Sequence, residues 1–413
     1  MNSESSTFKT SKKSFNKEIS IPSSKSYANR LLILAALNPN EIKVTNLPLS
    51  SDVETMLSCF EQIGIDLERV GNDVIIRSQF PQCERDGDEI IVLDTGDGGT
   101  TNRFLLPFLA LGRRGYELKA SGHMRLRPME PLVTAIRSCG VDIDFNPSDD
   151  LNEKWIVVKG PYQSKTSLIE IDCSQTTQFL TGLSLALSRS KISVKEKNLS
   201  VSLPYWHLTQ NLIETSRTDT RVYHNPVDFS SLSYPLALAA VDGEVLITNC
   251  HEPDPNQADS QFLEILRDMG SQLEFQERGL FCKKKPLKGI SFDGSQCPDV
   301  IPTLIFVCSF AEGESHLKNL EVLTHKECDR FTEMVRMLKA AKVDFDADFK
   351  NYELIIHGKG LPIEGRQFNF DPVDDHRMVM VTYLFQRILG GGTITRNAHH
   401  VKKSFANFFE TLA

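Results

Sequence analysis

Lys25, Ser26 and Arg30 follow Pro22 and a pair of serines at the start of an apolar segment. The proline should end whatever precedes it, and a serine can cap a helix that begins near Lys25. A helix N-terminus has free backbone N–H groups and the positive end of the helix dipole, which both favour an anion. Two cations and a hydroxyl at this position predict a phosphate or carboxylate ligand, although an ordinary capped helix with solvated basic residues explains the same pattern.

Three further residues could carry acid–base chemistry. Asp299 is an isolated carboxylate before an apolar run, and desolvation there could make it a general base. Glu327 lies in a run dense in charge, and His376 precedes another apolar run. Each has an ordinary structural explanation as well, because acidic residues are common in the first turn of a helix and a lone histidine near a helix start is usually structural.

Other predicted helix starts carry cations, hydroxyls or an exposed backbone. They are the Gly-rich turn 94–103 with Gly99, Arg125 before Pro128, the group Thr176, Thr177 and Gln178, the turn with Ser202 and Tyr205, the pair Lys326 and Arg330, and the residues Arg377 and Lys403. Lys326 and Arg330 share a helix face, so an anion or carboxylates should lie between them. Capping, turn chemistry and surface basic patches explain each segment taken alone. The sequence contains no H-x-H or H-E-x-x-H motif and no acidic metal cluster, which indicates metal-free chemistry on a multiply anionic substrate.

Composition narrows the class of protein. The 413 residues are 40% hydrophobic and 24% charged with a net charge of −8, which is ordinary for a soluble protein and argues against general binding to nucleic acid or anionic membranes. Nine scattered cysteines without a C-x-x-C motif indicate reduced thiols. The Ser/Lys-rich first 17 residues lack a secretory signal, and no run approaches the ~18 apolar residues of a membrane span, so we expect a cytoplasmic protein.

One local pattern occurs four times, which predicts a repeated module. An amphipathic helix ends at a small residue or lysine, and two short strands follow; the helices end near Gly64, Gly140, Gly270 and Lys342. The spacing is about 75 residues, since 140 − 64 = 76 and 342 − 270 = 72. Such a unit is too large for a solenoid repeat of roughly 20–50 residues. The pattern predicts an α/β protein built from β-α-β-α-β-β modules, in two domains of three, unless the similarity is a coincidence of common α/β patterns.

Taken in order, the motifs resemble the 5-enolpyruvylshikimate-3-phosphate synthases, the enolpyruvyl transferase family of the shikimate pathway. The resemblance extends from Pro22 to Phe405. It is carried by nine short motifs: S-K-S-x-x-N-R, G-x-x-G-T-T-x-R, R-x-R-P-M, Q-F-L, S-x-P-Y, D-x-S-S-x-S-Y, P-D, K-E-x-D-R with D-H-R-M, and K-S-F. It implies a two-lobed fold with three β-α-β-α-β-β units in each lobe. One lobe would comprise residues 23–227, with shikimate-phosphate-binding motifs, and the other residues 1–22 with 228–413.

The resemblance also implies substrates and roles. The shikimate-3-phosphate ligands would be Lys25, Ser26, Arg30, Thr176, Thr177, Gln178, Ser202, Tyr205, Asp299 and Lys326. The phosphoenolpyruvate ligands would be Lys25, Gly99, Arg125, Gln178, Arg330, Arg377 and Lys403. Asp299 would take the proton of the 5-hydroxyl, and Glu327, with Lys25 or His376, would protonate the enol carbon. The family implies no cofactor and no metal, and we expect a monomer with small-molecule substrates.

Several positions depart from the family pattern. Asp97 replaces the usual Asn, Ser23 the usual Gly, and Thr176-Thr177 the usual Ser pair. Val322 and Thr324 replace polar or basic residues before Lys326. A divergent enolpyruvyl transferase acting on another cyclic hydroxy-acid or on a UDP-sugar, or a catalytically silent binding homologue, is the alternative, although no Cys lies between Arg103 and Arg127 as the UDP-sugar enzymes have.

Overall fold

The computed structural model describes residues 7–84, 86–163, 165, 167–360 and 367–413. The chain divides into two compact units. The middle unit is Ser23–Pro226, and the split unit combines Met1–Pro22 with Val227–Ala413. Within the described part of the chain, no helix combines the length and apolar character needed to cross a bilayer.

The middle unit contains six helices and ten strands among its described residues. The helices are α1 (Lys25–Ala36), α2 (Ser51–Gln62), α3 (Gly99–Leu109), α4 (Glu130–Arg137), α5 (Gln178–Ala186) and α6 (Leu203–Ser216). The strands are β3 (Ile42–Thr45), β4 (Leu67–Val70), β5 (Asp73–Ile76), β6 (Ile91–Gly96), β7 (Gly115–Ala120), β8 (Asp142–Phe145), β9 (Ile156–Lys159), β10 (Leu168–Asp172), β11 (Ser193–Lys197) and β12 (Val222–His224). A short 3-10 helix covers Gly122–Leu126.

The split unit likewise contains six helices and ten strands among its described residues. The strands are β1 (Phe8–Thr10), β2 (Phe15–Ile19), β13 (Gly243–Ile247), β14 (Gln272–Gln276), β15 (Gly279–Lys283), β16 (Ser291–Asp293), β17 (Glu312–Lys318), β18 (Phe345–Asp348), β19 (Glu353–Lys359) and β20 (Gly392–Ile394). The helices are α7 (Phe229–Asp242), α8 (Gln261–Asp268), α9 (Ile301–Ser309), α10 (Arg330–Ala341), α11 (His376–Leu389) and α12 (Phe408–Leu412). Three 3-10 helices cover Ala258–Ser260, Leu320–His325 and Ala398–Lys403.

Four sheets repeat one strand arrangement. Their orders are β12-β3-β5-β4 and β6-β7-β9-β8 in the middle unit, and β2-β13-β15-β14 and β16-β17-β19-β18 in the split unit. In each sheet the first two strands are parallel and the remaining pairs are antiparallel. A parallel pair needs a crossover, which a helix supplies, whereas an antiparallel pair can be joined by a tight turn. The sheets β6-β7-β9-β8 and β16-β17-β19-β18 follow the chain order of the predicted β-α-β-α-β-β module. The other two have the same spatial arrangement, but their first strands, β12 and β2, come from distant parts of the chain.

The predicted helix ends are confirmed. Gly64, Gly140 and Gly270 follow α2, α4 and α8 with φ values of 97°, 79° and 103°, a left-handed backbone that glycine adopts without a steric cost. The fourth module uses Lys342 in the same conformation, with φ 53°.

The third module of each unit is smaller than predicted. Besides its two four-stranded sheets, the described part of each unit contains one two-stranded sheet. This is the parallel pair β10-β11 in the middle unit and the antiparallel pair β1-β20 in the split unit. In the middle unit the next strand along the chain, β12, pairs with β3 in the first sheet and so does not extend the third. The strand β12 is therefore the fourth strand of the first sheet, and the third sheet keeps two strands.

Candidate active site

In the middle unit, the predicted anion site at the start of α1 is built around an ion pair. Ser24 caps α1 by accepting a hydrogen bond from the Tyr27 amide, so the helix begins at Lys25. The Lys25 ammonium donates to Asp52 Oδ2 at 2.9 Å, and Asp52 is buried in the first turn of α2. The backbone carbonyl of Asp52 also accepts from the Thr101 hydroxyl of α3. Asp52 therefore links Lys25 to the beginning of α2, and Thr101 links Asp52 to the beginning of α3.

Arg30 joins the starts of α1 and α6. Its Nε donates to Thr209 Oγ1 at 2.9 Å, its Nη1 to the Ser26 carbonyl at 2.8 Å and its Nη2 to the Tyr205 carbonyl at 3.3 Å. The residue is 3% exposed. Burial lowers the pKa of Arg30 to about 10, against opposing contributions from Tyr205 and Tyr27, so the guanidinium stays charged at neutral pH. Arg30 thus contacts two other predicted site residues, Ser26 on its own helix and Tyr205, which lies 175 positions away.

Gln178 joins the starts of α5 and α3. Its Oε1 accepts from Arg103 Nη1 at 2.7 Å, and its Nε2 donates to Thr100 Oγ1 at 3.3 Å. Arg103 also donates to the Pro128 carbonyl at 3.0 Å. The predicted turn at Gly99, the residues before α4 and the start of α5 are brought together by this network.

The geometry does not support the predicted role of Arg125. The side chain of Arg125 is buried and donates to two backbone carbonyls, those of Ser148 at 2.6 Å and Glu153 at 3.0 Å. Arg127 instead lies against the Gly-rich turn, since a Cβ added to Gly99 would be 2.5 Å from its Nη1. Among the described residues, Arg127 Nε and Nη1 are buried without a hydrogen-bond partner. Arg127 is the guanidinium that faces the free N-terminus of α3.

In the split unit, Arg330 is surrounded by carboxylates. Its Nη1 donates to Asp299 Oδ1 at 3.0 Å, its Nη2 to Glu327 Oε2 at 2.6 Å and its Nε to Asp375 Oδ2 at 2.7 Å. Arg330 is 1% exposed, and Asp299 and Glu327 keep 23% and 17% of their side chains exposed. Burial alone would lower the pKa of Arg330, but Asp375, Glu327 and Asp299 outweigh it and raise the pKa.

Asp299 connects Arg330 to Arg377. Its Oδ2 accepts from Arg377 Nη2 at 2.9 Å, and its backbone carbonyl accepts from Arg377 Nη1 at 3.2 Å. Burial would raise the pKa of Asp299, but the positive charges of Arg377, Lys326 and Arg330 more than offset it and hold the pKa well below its ordinary value. Asp299 is therefore ionised at neutral pH, as a proton acceptor must be.

Arg377 is also supported from α7. Its Nη2 donates to Ser230 Oγ at 3.2 Å, and the Ser230 hydroxyl donates to Asp228, the residue that caps α7. Burial raises the pKa of the nearby Tyr234 to about 12, while Arg377 acts in the opposite direction.

The remaining predicted site residues are located as follows. Thr176 Oγ1 accepts from the Gln178 amide, Thr177 is buried at the start of α5, and Ser202 is the left-handed residue, φ 55°, before α6. Lys326 follows the 3-10 helix Leu320–His325, and Lys403 is buried at the end of the 3-10 helix Ala398–Lys403, which packs on α11.

The position of His376 favours packing over direct proton transfer. Its ring is 1% exposed, and Nδ1 lies 3.8 Å from Asp375 Oδ1 at the start of α11. Glu327 has the more accessible acid–base group. The described residues contain no group of three or more His, Cys, Asp or Glu side chains suited to a metal ion.

Sequence reasoning missed Asp52, Arg103, Arg127 and Asp375. Asp52 and Asp375 look like ordinary acidic residues at helix starts, so their pattern gave no signal beyond capping. Arg103 and Arg127 were visible in the motifs. Arg125 and Arg127, however, are separated by one residue and point in different directions, and only the fold shows that Arg127 is the one facing the Gly99 turn.

Comparisons with known proteins identify the family of the chain. The model of the EPSP synthase (3-phosphoshikimate 1-carboxyvinyltransferase) family matches residues 9–412. The chain is 30% identical to the 3-phosphoshikimate 1-carboxyvinyltransferase of Vibrio atlanticus, covering 96% of both chains. It is 29% identical to that of Pyrococcus abyssi, covering 95% of this chain and 93% of the relative.

Solved structures show the same fold. EPSP synthase from Acinetobacter baumannii superposes with a TM-score of 0.76 at 22% identity, covering 98% of this chain and 97% of that one. The enolpyruvyl transferase NikO from Streptomyces tendae superposes with a TM-score of 0.71 at 14% identity, covering 98% and 96%. The fold is that of the enolpyruvyl transferases. The chain belongs to the EPSP synthase family, which confirms the predicted resemblance and fold class.

Proposed function

We propose that the protein transfers the enolpyruvyl group of phosphoenolpyruvate to the 5-hydroxyl of shikimate-3-phosphate and releases phosphate. The observation that carries the proposal is the cluster of Asp299, Glu327, Arg330 and Arg377 in a chain that matches the family from end to end. It combines partly exposed carboxylates for proton transfer with buried guanidiniums for an anion.

The middle unit supplies most of the proposed shikimate-3-phosphate ligands. They are Lys25, Ser26, Arg30, Thr176, Thr177, Gln178, Ser202 and Tyr205, joined by Asp299 and Lys326 of the split unit. Support comes from the bridge that Arg30 makes to Ser26 and Tyr205, because this bridge holds two hydroxyl-bearing helix starts together. Helix starts with hydroxyls and cations suit a phosphate and a carboxylate on one molecule.

Phosphoenolpyruvate would use residues of both units. We propose Lys25, Gly99, Gln178 and Arg127 from the middle unit, with Arg127 in place of Arg125, and Arg330, Arg377 and Lys403 from the split unit. Arg127 is supported by its buried Nε and Nη1 and by its closeness to the uncapped start of α3. A guanidinium beside free backbone N–H groups is a strong combination for an anion.

The chemistry follows from the two carboxylates. Asp299 accepts the proton of the 5-hydroxyl as the oxygen of that hydroxyl bonds to C2 of phosphoenolpyruvate, and Glu327 in its protonated form gives a proton to C3. The resulting tetrahedral intermediate then returns a proton from C3 to the Glu327 carboxylate while its C2–O bond to phosphate breaks, which restores the double bond and releases phosphate. A base works best when its pKa lies near the working pH. The charge of bound anionic substrates next to Arg330 and Arg377 would raise the low pKa of Asp299 toward that range.

The direct test is phosphate release with shikimate-3-phosphate plus phosphoenolpyruvate. Wild type should release phosphate only when both are present, and Asp299→Ala should lower kcat by about 10²–10⁴-fold. Asp293→Ala is the matched control, because that carboxylate lies in the same unit and bonds Ser295 and Asn319. Absence of release from wild type would refute the proposal, and shikimate-3-phosphate binding by calorimetry would then indicate a silent binding homologue.

A further inference from the structure

The Asp375 carboxylate contacts both proposed substrate-binding arginines of the split unit. Its Oδ2 accepts from Arg330 Nε at 2.7 Å, and Arg330 Nη2 lies 3.4 Å from its Oδ1. The same Oδ1 accepts the backbone amide of Arg377 at 2.8 Å, so Asp375 caps α11. One buried group therefore fixes a guanidinium and the first turn of the helix that carries the second arginine.

Asp375 differs from the other two carboxylates around Arg330. The side chains of Asp299 and Glu327 contact the two terminal nitrogens and are partly exposed, whereas the Asp375 side chain is 0% exposed and contacts Nε. An incoming anion can compete for the terminal nitrogens but cannot reach Nε. Asp375 is the contact that can persist while substrate is bound.

The remaining polar neighbours of Asp375 limit its movement further. Cys328 Sγ lies 3.6 Å from Oδ2, and His376 Nδ1 lies 3.8 Å from Oδ1. The Asp375 amide donates to the Val373 carbonyl at 2.7 Å. Both carboxylate oxygens and the backbone are thus held from several directions.

We propose that Asp375 is a positioning residue for enolpyruvyl transfer. It orients the plane of the Arg330 guanidinium and the start of α11, so that Arg330 and Arg377 meet phosphoenolpyruvate in a fixed arrangement. Recognition by a guanidinium depends on the directions of its N–H groups, which form a planar fork. A fork that is already fixed loses less entropy when the anion binds. The inference rests on the proposed function, since it assigns these arginines to phosphoenolpyruvate.

The competing explanation is that Asp375 is only a helix cap, and the chain offers a matched control for it. Asp329 caps α10 through its bonds to the amide and hydroxyl of Thr332, at 3.1 and 2.6 Å. Among the described residues, its carboxylate bonds Thr332 alone. Asn caps a helix about as well as Asp, so Asp→Asn at either position preserves capping, whereas Asp375→Asn turns an acceptor for Arg330 into a neutral group.

The experiment compares Asp375→Asn with Asp329→Asn in steady-state kinetics and thermal melting. Asp375→Asn should lower kcat/KM for phosphoenolpyruvate by about tenfold to a hundredfold, the usual effect of losing a charged hydrogen bond. Its KM for shikimate-3-phosphate should change by less than about threefold, and Asp329→Asn should leave both constants within about twofold. Equal losses in the two variants, or equal losses for the two substrates, would overturn the inference.

A double variant tests whether Asp375 acts through Arg330. In the Arg330→Lys background the fork is already lost, so adding Asp375→Asn should lower kcat/KM for phosphoenolpyruvate by less than about threefold. A full tenfold or greater loss in that background would contradict the proposed route. If Asp375→Asn does not fold, Asp375→Glu is compared with Asp329→Glu by the same criteria. The activity of the wild type separates the proposed function from the proposed role of Asp375. An inactive wild type refutes both, whereas an active wild type with equal losses in Asp375→Asn and Asp329→Asn refutes only the role of Asp375.

Discussion

Arg30 in the middle unit and Arg330 in the split unit have different kinds of hydrogen-bond partner. In the middle unit, Arg30 donates to two carbonyls and a hydroxyl, and Arg103 to an amide oxygen and a carbonyl. In the split unit, Arg330 donates to three carboxylates, and Arg377 shares one of them. The neutral hydrogen-bond partners of Arg30 leave its positive charge uncompensated, whereas the carboxylates around Arg330 offset its charge.

Under the proposed function, this difference suits the arginines of the middle unit to anion binding and those of the split unit to acid–base chemistry. An uncompensated guanidinium attracts an anion directly, which suits the holding of a phosphorylated acceptor. A guanidinium that is paired with a carboxylate must release it before it can bind the anion. The released carboxylate then lies near the substrate, where it can act as an acid or base. Under the proposed function, arginine would serve binding in the middle unit and chemistry in the split unit, because its partners differ.

The largest expected effect is on stability. Arg330→Met should lower the free energy of unfolding by about 3–5 kcal/mol, because it removes the guanidinium partner of the fully buried Asp375 carboxylate. Arg30→Met should cost about 1–3 kcal/mol, since its partners are neutral. Urea unfolding of both variants measures the two losses, and equal losses would remove the basis of the comparison.

The second effect separates two neighbouring arginines within the middle unit. Arg127→Lys should raise KM for phosphoenolpyruvate by about tenfold to a hundredfold, because a lysine cannot reproduce a guanidinium next to the Gly99 turn. Arg125→Lys should instead lower the melting temperature and leave that KM within about twofold, because Arg125 bonds the carbonyls of Ser148 and Glu153. The reverse result would restore the role predicted from sequence.

A smaller effect tests the closeness of Gly99 and Arg127. In Gly99→Ala the new Cβ would be 2.5 Å from Arg127 Nη1, so the guanidinium must move and KM for phosphoenolpyruvate should rise by about tenfold. Gly71→Ala is the control: its φ of 61° makes alanine strained, but no atom lies within 4 Å of the new Cβ. That variant should lose about 1 kcal/mol of stability at an unchanged KM.

The smallest effect is a pH dependence of stability confined to the split unit. The pKa of Asp299 is lower in the folded protein than its unfolded value of about 3.9, so its stabilising contribution is complete above that value and is lost as pH falls through the folded pKa. Wild type should exceed Asp299→Asn by about 1 kcal/mol from pH 7 to 5 and by progressively less below about pH 4. The corresponding difference for Arg30→Met should stay flat, because the partners of Arg30 do not titrate in that range. A flat difference for Asp299→Asn would contradict the lowered pKa.

The sequence by itself determined the recurring pattern of a helix followed by two strands and the residues at which those helices end. Alternating and helical periodicities depend on neighbouring residues, and a helix-ending glycine such as Gly64 needs only its own backbone conformation to be recognised. The ordered motifs likewise identified the family, because their residue types and order are properties of the chain alone.

Only the tertiary structure decided which side chains meet. Arg125 and Arg127 are equivalent in sequence, yet one bonds the 148–153 segment and the other faces Gly99. Asp375 has the sequence signature of a helix cap, and its contact with Arg330 joins residues 45 positions apart. Side-chain direction and long-range pairing depend on how helices pack, and local periodicity carries no information about either.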